Sequence, residues 1–223
     1  MLTSVVAILR KDLALSLSRG QGLVQAVLLG LLLIFLFSLS RPTGTLTSPQ
    51  AAAAIFWLAS SFGLVLVFNT LYSLEEENGA RLGLLLSPVP LQSVWLGKAL
   101  AGLVLLACSQ VVFAPAAMVF LGQDVVHAPL AALAGVLVID WGLVVLGSLL
   151  GALSQGAAAR ESLLSVILFP LLLPVLLAGI RIGAAALGGV SGDSGWMGLA
   201  LAFDALFTGA ALVLFPFVYG GDA

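Results

Sequence analysis

Two acidic side chains interrupt long apolar stretches of the sequence. Asp140 lies between Ile139 and Trp141, and Asp204 lies within the apolar run 197–219. If these stretches cross a membrane, each carboxyl must face another helix, a partner or a wet cavity, because a charge in hydrocarbon costs about 3 kcal/mol. One interpretation is a polar lining of a substrate path or a proton site. The other, which we favour, is a contact with another helix or with a partner subunit.

Few other residues could carry chemistry. The chain has one histidine, His127, in a short loop, and one cysteine, Cys108, in an apolar run. The sequence contains no phosphate-binding loop, no H-E-x-x-H helix, no G-x-S-x-G elbow and no C-x-x-C-H motif. We therefore predict a non-catalytic chain with no bound cofactor and no metal site.

The composition indicates that the elements carrying these residues lie in a membrane. Of 223 residues, 61% are apolar and 8% are charged, against about 25% charged in soluble domains. Mean hydropathy is +1.23. A soluble fold or a disordered chain is excluded, because neither offers water so little polar surface. The formal net charge of −2 gives no sign of a nucleic-acid surface.

Six stretches are long and apolar enough to span a bilayer, which takes ~20 residues per helix. They predict a single all-α transmembrane domain, residues 1–223, with spans at about 21–40, 51–74, 99–122, 129–153, 162–180 and 197–219. Six of the basic residues then share the side of the N-terminus and two lie opposite, which favours cytoplasmic termini. The first set is Arg10, Lys11, Arg19, Arg81, Lys98 and Arg160, and the second is Arg41 and Arg181.

The N-terminal segment 2–19 has helical periodicity. Its apolar residues fall near one face, at Leu2, Val5, Val6, Leu9, Leu13 and Leu17. This pattern is typical of an amphipathic helix lying in the membrane interface, and the alternative is a merely basic extension. Ser48 and Pro49 are a favourable start for the second span, as a cap and a first-turn residue.

The longest predicted cytoplasmic loop runs from Glu75 to Lys98. It opens with Glu75, Glu76 and Glu77, becomes apolar over 82–86, and then reads Ser-Pro-Val-Pro. Two prolines two residues apart prevent one continuous helix, so we predict a short helix, a break and the entry to span three. Such a loop fits a membrane surface and a partner protein. The alternative is a solvated acidic turn with an interfacial anchor. Elsewhere, Pro170 and Pro174 predict a kink in the fifth span.

This loop resembles the first cytoplasmic loop of ABC exporter permeases. Gly79, the leucine run 84–86, Ser87-Pro88-Val89-Pro90-Leu91 and Gly97-Lys98 look like the haem exporter protein B (CcmB) family. The basic-acidic turn 10–13 and the Pro170–Pro174 pair match as well, so the resemblance covers nearly the whole chain. In those permeases the loop contains the coupling helix that docks on the ATPase.

The resemblance implies a half-transporter of a bacterial inner membrane. Two copies would pair with two ABC ATPase subunits, a haem-handling membrane protein and a small membrane subunit in cytochrome c maturation. Haem would be a cargo of the complex, or ATP would release a haem-loaded chaperone. The implied docking residues are Glu75, Glu76, Glu77, Gly79, Leu84, Leu85, Ser87, Pro88 and Pro90. A permease for a drug, lipid or polysaccharide, or a membrane scaffold without transport, remains an alternative.

Overall fold

The computed structural model describes residues 1–42, 46–77, 79–123, 126–154, 158–189 and 194–220, without the side chains of 76, 77, 154, 158–169 and 194. These residues form helices and connections, with no strand among them. The helices are α1 (Leu2–Arg19), α2 (Gln21–Leu39), α3 (Pro49–Glu77), α4 (Ala80–Leu85), α5 (Leu91–Leu121), α6 (Pro129–Ser154), α7 (Ala158–Gly188) and α8 (Ser194–Gly220).

Six of the described helices, α2, α3 and α5–α8, are long and apolar enough to cross a membrane, which confirms the predicted all-α integral membrane fold. Contacts between distant residues define the two ends of this bundle. At the α1 end, Lys11 of α1 lies 2.8 Å from Glu75, near the C-terminus of α3. At the far end, the His127 amide donates to the carbonyl of Ala186 in α7, at 3.0 Å.

Two helices, α5 and α7, extend furthest beyond their predicted spans. α5 begins at Leu91 instead of Ala99, because Lys98 is enclosed by ion-pair partners and does not mark the end of the helix. α7 continues past Ile180 to Gly188, and the Arg181 guanidinium lies 5.6 Å from the centre of the Trp196 ring on α8. In both cases a charge that suggested a loop has a partner within the helical bundle.

Glycines allow the spans to approach each other closely. The Phe68 ring of α3 lies against Gly102 of α5 and Gly147 of α6, where an added Cβ would overlap the ring. Phe113 of α5 contacts Gly30 of α2 in the same manner. Small residues at helix interfaces are the usual means of close packing in membranes, where lipid offers no hydrophobic drive for association.

The helix α1 has a buried face of mixed polarity and an exposed apolar face. Val5, Ile8, Asp12 and Ser16 are buried on one face, and Ile8 packs over Gly97 of α5. Leu2, Val6 and Leu17 are exposed on another. The separate N-terminal helix is as predicted, although Val5 points inward and not with the outer leucines. An interfacial position for the exposed face stays a prediction.

The start of α3 follows the sequence prediction. The Ser48 hydroxyl accepts a hydrogen bond from the Ala51 amide at 3.2 Å, and Pro49 is the first residue of the helix. The side-chain oxygen thereby satisfies one amide of the first turn that has no partner within the helix.

Candidate functional site

The segment from Gly79 to Pro90, here called the α4 segment, lies at the α1 end of the bundle. Gly79 has φ +63°, a left-handed conformation that suits glycine, and the six-residue helix α4 follows it. The Ser87 hydroxyl donates to the Leu84 carbonyl at 2.7 Å, and α5 starts directly after Pro90. The predicted order of short helix, proline break and next span is therefore confirmed.

The α4 segment presents leucine side chains outward. Leu82 is 66% exposed and Leu86 is 86% exposed, and Pro88 and Pro90 are exposed beside them. Leu84, Leu85 and Val89, in contrast, pack partly buried against the core. Of the implied docking residues, the two prolines thus face outward while the two leucines are half-buried. The sequence could not distinguish these leucines, since a six-residue helix shows too little periodicity.

Glu75, which the sequence assigned to docking, lies inside the fold. One oxygen of its carboxylate forms an ion pair with Lys98 Nζ at 2.8 Å, and the other forms one with Lys11 Nζ at 2.8 Å. Asp12 lies 3.0 Å from Lys11 and 3.5 Å from Lys98. We call Lys11, Asp12, Glu75 and Lys98 the charged cluster; it joins α1, α3 and α5 and has equal numbers of cations and anions.

Two tyrosines complete the surroundings of the charged cluster. The Tyr219 hydroxyl of α8 donates to Glu75 at 2.7 Å. The Lys98 ammonium lies 4.7 Å from the centre of the Tyr72 ring, a cation–π distance. Tyr72 in turn donates to the Ser148 carbonyl of α6 at 2.9 Å. Lys98 is fully buried, and these contacts offset the cost of removing its charge from water.

Lys11 is the partly exposed member of the charged cluster, with a side chain 34% accessible. Burial by itself lowers the pKa of Lys11, but the facing Asp12 and Glu75 carboxylates outweigh it and hold that pKa above its ordinary value. The ammonium therefore stays charged at neutral pH.

The three predicted docking acids have different outcomes. The Glu75 carboxylate is enclosed by its ion-pair partners, so it does not present itself to a partner protein in this structure. The side chains of Glu76 and Glu77 lie outside the described residues, and their docking role stays a prediction.

A signal for the charged cluster was present in the sequence. Lys98 follows apolar residues 94–96 and precedes an uncharged run, and a lysine in such surroundings requires an acidic partner.

Asp140 is buried where three spans meet. The Gln110 side-chain amide of α5 donates to its carboxyl at 2.7 Å. The same nitrogen lies 3.3 Å from the Ser60 hydroxyl of α3. Asp140 thus makes a contact between helices, through the Gln110 amide, which no motif in the sequence marks.

Asp204 of α8 is buried beside Gly142 of α6, and one carboxyl oxygen has no hydrogen-bond partner among the described residues. The same oxygen would lie 2.5 Å from a Cβ placed on Gly142. Nearby, the Trp141 indole donates to the Thr208 hydroxyl at 3.0 Å, a second polar contact between α6 and α8. Asp140 and Asp204 therefore have different surroundings.

The remaining predicted residues do not form a reactive site. Pro170 and Pro174 both lie inside α7, which continues through them, and the kink stays a prediction. Among the residues that the structure describes, no group of three His, Cys, Asp or Glu side chains could hold a metal ion.

At the far end, an apolar cavity of about 150 Å³ lies between α3, α5, α6 and α7, lined by Trp57, Ala117, Ala132 and their neighbours.

The fold and the site define the class: an all-α, multi-pass integral membrane protein with an exposed apolar segment at one end of its bundle. The sequence matches the family described as "CcmB protein" over residues 3–222, and the chain belongs to that family. It is similar to "Heme exporter protein B" of Rhodobacter capsulatus, with 28% identity over 219 residues that cover 95% of this chain and 94% of the relative. The proteins of that name from Paracoccus denitrificans and Bradyrhizobium diazoefficiens are 29% and 26% identical, covering 95% and 84% of this chain and 94% and 84% of their own lengths.

Proposed function

We propose that this chain is the membrane permease subunit of an ABC transporter that serves haem export, or release of a haem chaperone, in cytochrome c-type biogenesis. ATP would be hydrolysed by a separate ATPase subunit, since the sequence carries no phosphate-binding loop. The observation that carries the proposal is the exposed α4 segment in a chain of this family. Two copies of the chain would pair with two ATPases.

The α4 segment suits a protein partner. Its outward leucines, Leu82 and Leu86, lie at the end of the bundle and not along the spans that face lipid. Burying such exposed apolar side chains against a partner is favourable, because it removes apolar surface from water. The proline break fixes where the segment ends and α5 begins, so the partner would meet a segment of defined length.

The distribution of basic residues supports a cytoplasmic position for the α1 end, in a bacterial inner membrane. The α1 end has Arg10, Lys11, Arg19, Arg81, Lys98 and Arg160, and the far end has Arg41 and Arg181. Lysine and arginine accumulate on the cytoplasmic side of bacterial membrane proteins. Both termini, and the α4 segment, would then face the ATPase compartment.

Haem fits this chain as a cargo of the complex and not as a cofactor. His127 is exposed at the far end with its ring against Gly189, and Cys108 is exposed in the middle of α5. These two side chains lie on different parts of the bundle, so they offer no axial pair for haem iron. A haem-handling membrane protein and a small membrane subunit would supply haem contacts in the assembled complex.

The test is co-purification of the chain with a co-expressed ABC ATPase subunit. Leu82→Asp together with Leu86→Asp should abolish ATPase recovery, because two charges would replace the apolar contact surface. Leu46→Asp is the matched control, since Leu46 is 80% exposed but lies at the far end, before α3. Full ATPase recovery with the double variant would contradict docking through the α4 segment.

A further inference from the structure

One side chain of α4 connects the α4 segment to the end of α8. Arg81 donates to the Tyr219 carbonyl from Nη2 at 2.8 Å and from Nε at 3.3 Å. Its guanidinium also lies 5.4 Å from the centre of the Tyr219 ring. The last carbonyls of a helix have no donor within it, and Arg81 supplies two N–H groups to one of them.

Tyr219 carries this connection into the charged cluster. Its hydroxyl donates to Glu75 at 2.7 Å, and the same carboxylate oxygen lies 2.8 Å from Lys98. The Tyr219 side chain is fully buried and stacks on Phe215, with ring centres 5.1 Å apart. The contacts therefore run from α4 to the end of α8, from there to α3, and from α3 to α5.

The α4 segment needs such a connection to hold one orientation. A helix of six residues is too short to be stable by itself, since isolated helices below about 12 residues are marginal. Gly79 and Gly83 have no side-chain or backbone neighbour within 4 Å of a would-be Cβ. The packing of Leu84 and Leu85 supplies burial, but apolar contact is non-directional and does not fix rotation.

We propose that Arg81, Tyr219 and Glu75 are positioning residues that set the orientation of the α4 segment relative to the spans. Glu75 thus serves the segment from inside the fold, and not as a surface contact. The proposal deepens the proposed function, on which it rests for the identity of the partner. Its geometric part concerns this chain alone and is tested without a partner.

The first experiment measures the α4 segment in the purified chain in nanodiscs. Spin labels are attached to Gly83→Cys on α4 and to Val111→Cys, a 75% exposed position on α5, in a Cys108→Ser background. The wild-type contacts should give one narrow distance peak. Tyr219→Phe removes just the hydroxyl bound to Glu75, and Arg81→Gln removes the paired donors; each should lose the narrow peak.

The matched control is Tyr72→Phe, which removes an equally buried hydroxyl that donates to Ser148, away from α4. It should keep the narrow peak. The inference would be overturned by a narrow, unshifted peak in Tyr219→Phe and Arg81→Gln, or by equal broadening in Tyr72→Phe. Circular dichroism confirms that each variant keeps its helices, so that loss of fold is not read as loss of position.

The second experiment separates this inference from the proposed function. With the ATPase present, Tyr219→Phe keeps the outward leucines, so it should still co-purify the ATPase but lower the transporter's ATP hydrolysis. Unchanged hydrolysis in a variant with a disordered segment would overturn the functional part of the inference. If the wild-type chain binds no ABC ATPase, the proposed function fails, while the distance measurements still decide the geometry.

Discussion

Different kinds of contact hold the helices together at the two ends of the bundle. At the α1 end, four charged side chains from three helices form ion pairs with each other and contact two tyrosines. At the far end, Arg41 donates to the Phe120 carbonyl at 2.6 Å and Gln123 donates to the Thr47 carbonyl at 2.8 Å. Each end also contains a cavity: an apolar one of about 150 Å³ at the far end, and one of about 160 Å³ beside Lys11, Asp12 and Glu75 at the α1 end.

The difference decides how each end responds to change. A buried ion is costly unless its partners are in place, so the contacts of the charged cluster depend on one another. A backbone carbonyl at the far end can accept from another donor or from water, so each of these hydrogen bonds can be replaced without the others; the Phe120 carbonyl, for example, also accepts from the Ser38 hydroxyl at 2.7 Å. The α1 end therefore has one arrangement, at the place where the α4 segment joins the bundle, and the far end can adapt.

The largest expected effect is at Glu75. Glu75→Ala leaves the cations Lys11 and Lys98 facing one acid, Asp12, and should lower the free energy of unfolding by about 3–5 kcal/mol. Arg41→Ala at the far end should cost about 1 kcal/mol, since its carbonyl partners keep other donors within reach. Both are measured by denaturant unfolding in mixed micelles.

A paired replacement shows that charge and not shape causes the loss at Glu75. Glu75→Leu combined with Lys98→Met removes one ion of each sign and leaves the Lys11–Asp12 pair, which is 3.0 Å apart. Stability should then return to within about 1–2 kcal/mol of wild type, because a neutral apolar pair costs little. If the double variant is as unstable as Glu75→Ala, the loss of stability comes from packing and not from the unpaired charge.

The fold was largely predictable because hydrophobic length alone defines membrane spans. The α6 span, predicted at 129–153, agrees with the helix Pro129–Ser154 to within a residue. The differences occur at charges: the sequence pattern places Lys98 and Arg181 outside the spans, yet each has a partner within the bundle. A residue type indicates its cost in a membrane, but a single sequence does not show which distant residue offsets that cost.

The candidate site was predictable as a segment and not residue by residue. Proline and glycine set the α4 segment locally, since Gly79 and Pro90 act on their own backbone. The position of Glu75 depends on Lys98 and Tyr219, which are 23 and 144 residues away in the sequence. Such pairing is tertiary, and the acidic run 75–77 gave no local sign that its first member turns inward.

Asp140 lies between the two ends. Substitutions there show whether its contact depends on charge, as at the α1 end, or on hydrogen bonding alone, as at the far end. We expect Asp140→Asn to support assembly and cytochrome c maturation almost normally, because asparagine can still hydrogen-bond Gln110. Asp140→Ala should cost about 1–3 kcal/mol, the usual penalty for an unsatisfied buried partner. A fully assembled but inactive Asp140→Asn would show that the charge matters, and a proton or cation role would replace the contact role.

Two glycines give a matched comparison of the ends through packing. A Cβ on Gly151 would overlap the Tyr72 ring, which is held by Ser148 and lies beneath Lys98. Gly151→Ala should therefore destabilise by about 1–3 kcal/mol, as overpacking does in a rigid surrounding.

The matched partner is Gly135, where a Cβ would lie 2.5 Å from Ile182. Both residues line the far-end cavity, so the Ile182 side chain has space to move. Gly135→Ala should cost less than about 1 kcal/mol. Equal losses at the two glycines, measured by the same unfolding titration, would show that the α1 end is no more rigid than the far end.

The smallest expected effect is a gain at the far end. Ala132 lines the apolar cavity, and Ala132→Leu adds methyl and methylene groups to a volume of about 150 Å³. Filling such a space should raise the free energy of unfolding by about 1 kcal/mol. Ala131→Leu is the control, because Ala131 is the adjacent residue of the same helix and is exposed, outside the cavity lining. If Ala132→Leu destabilises the chain while Ala131→Leu does not, the cavity is rigid, and the adaptability ascribed to the far end would be refuted.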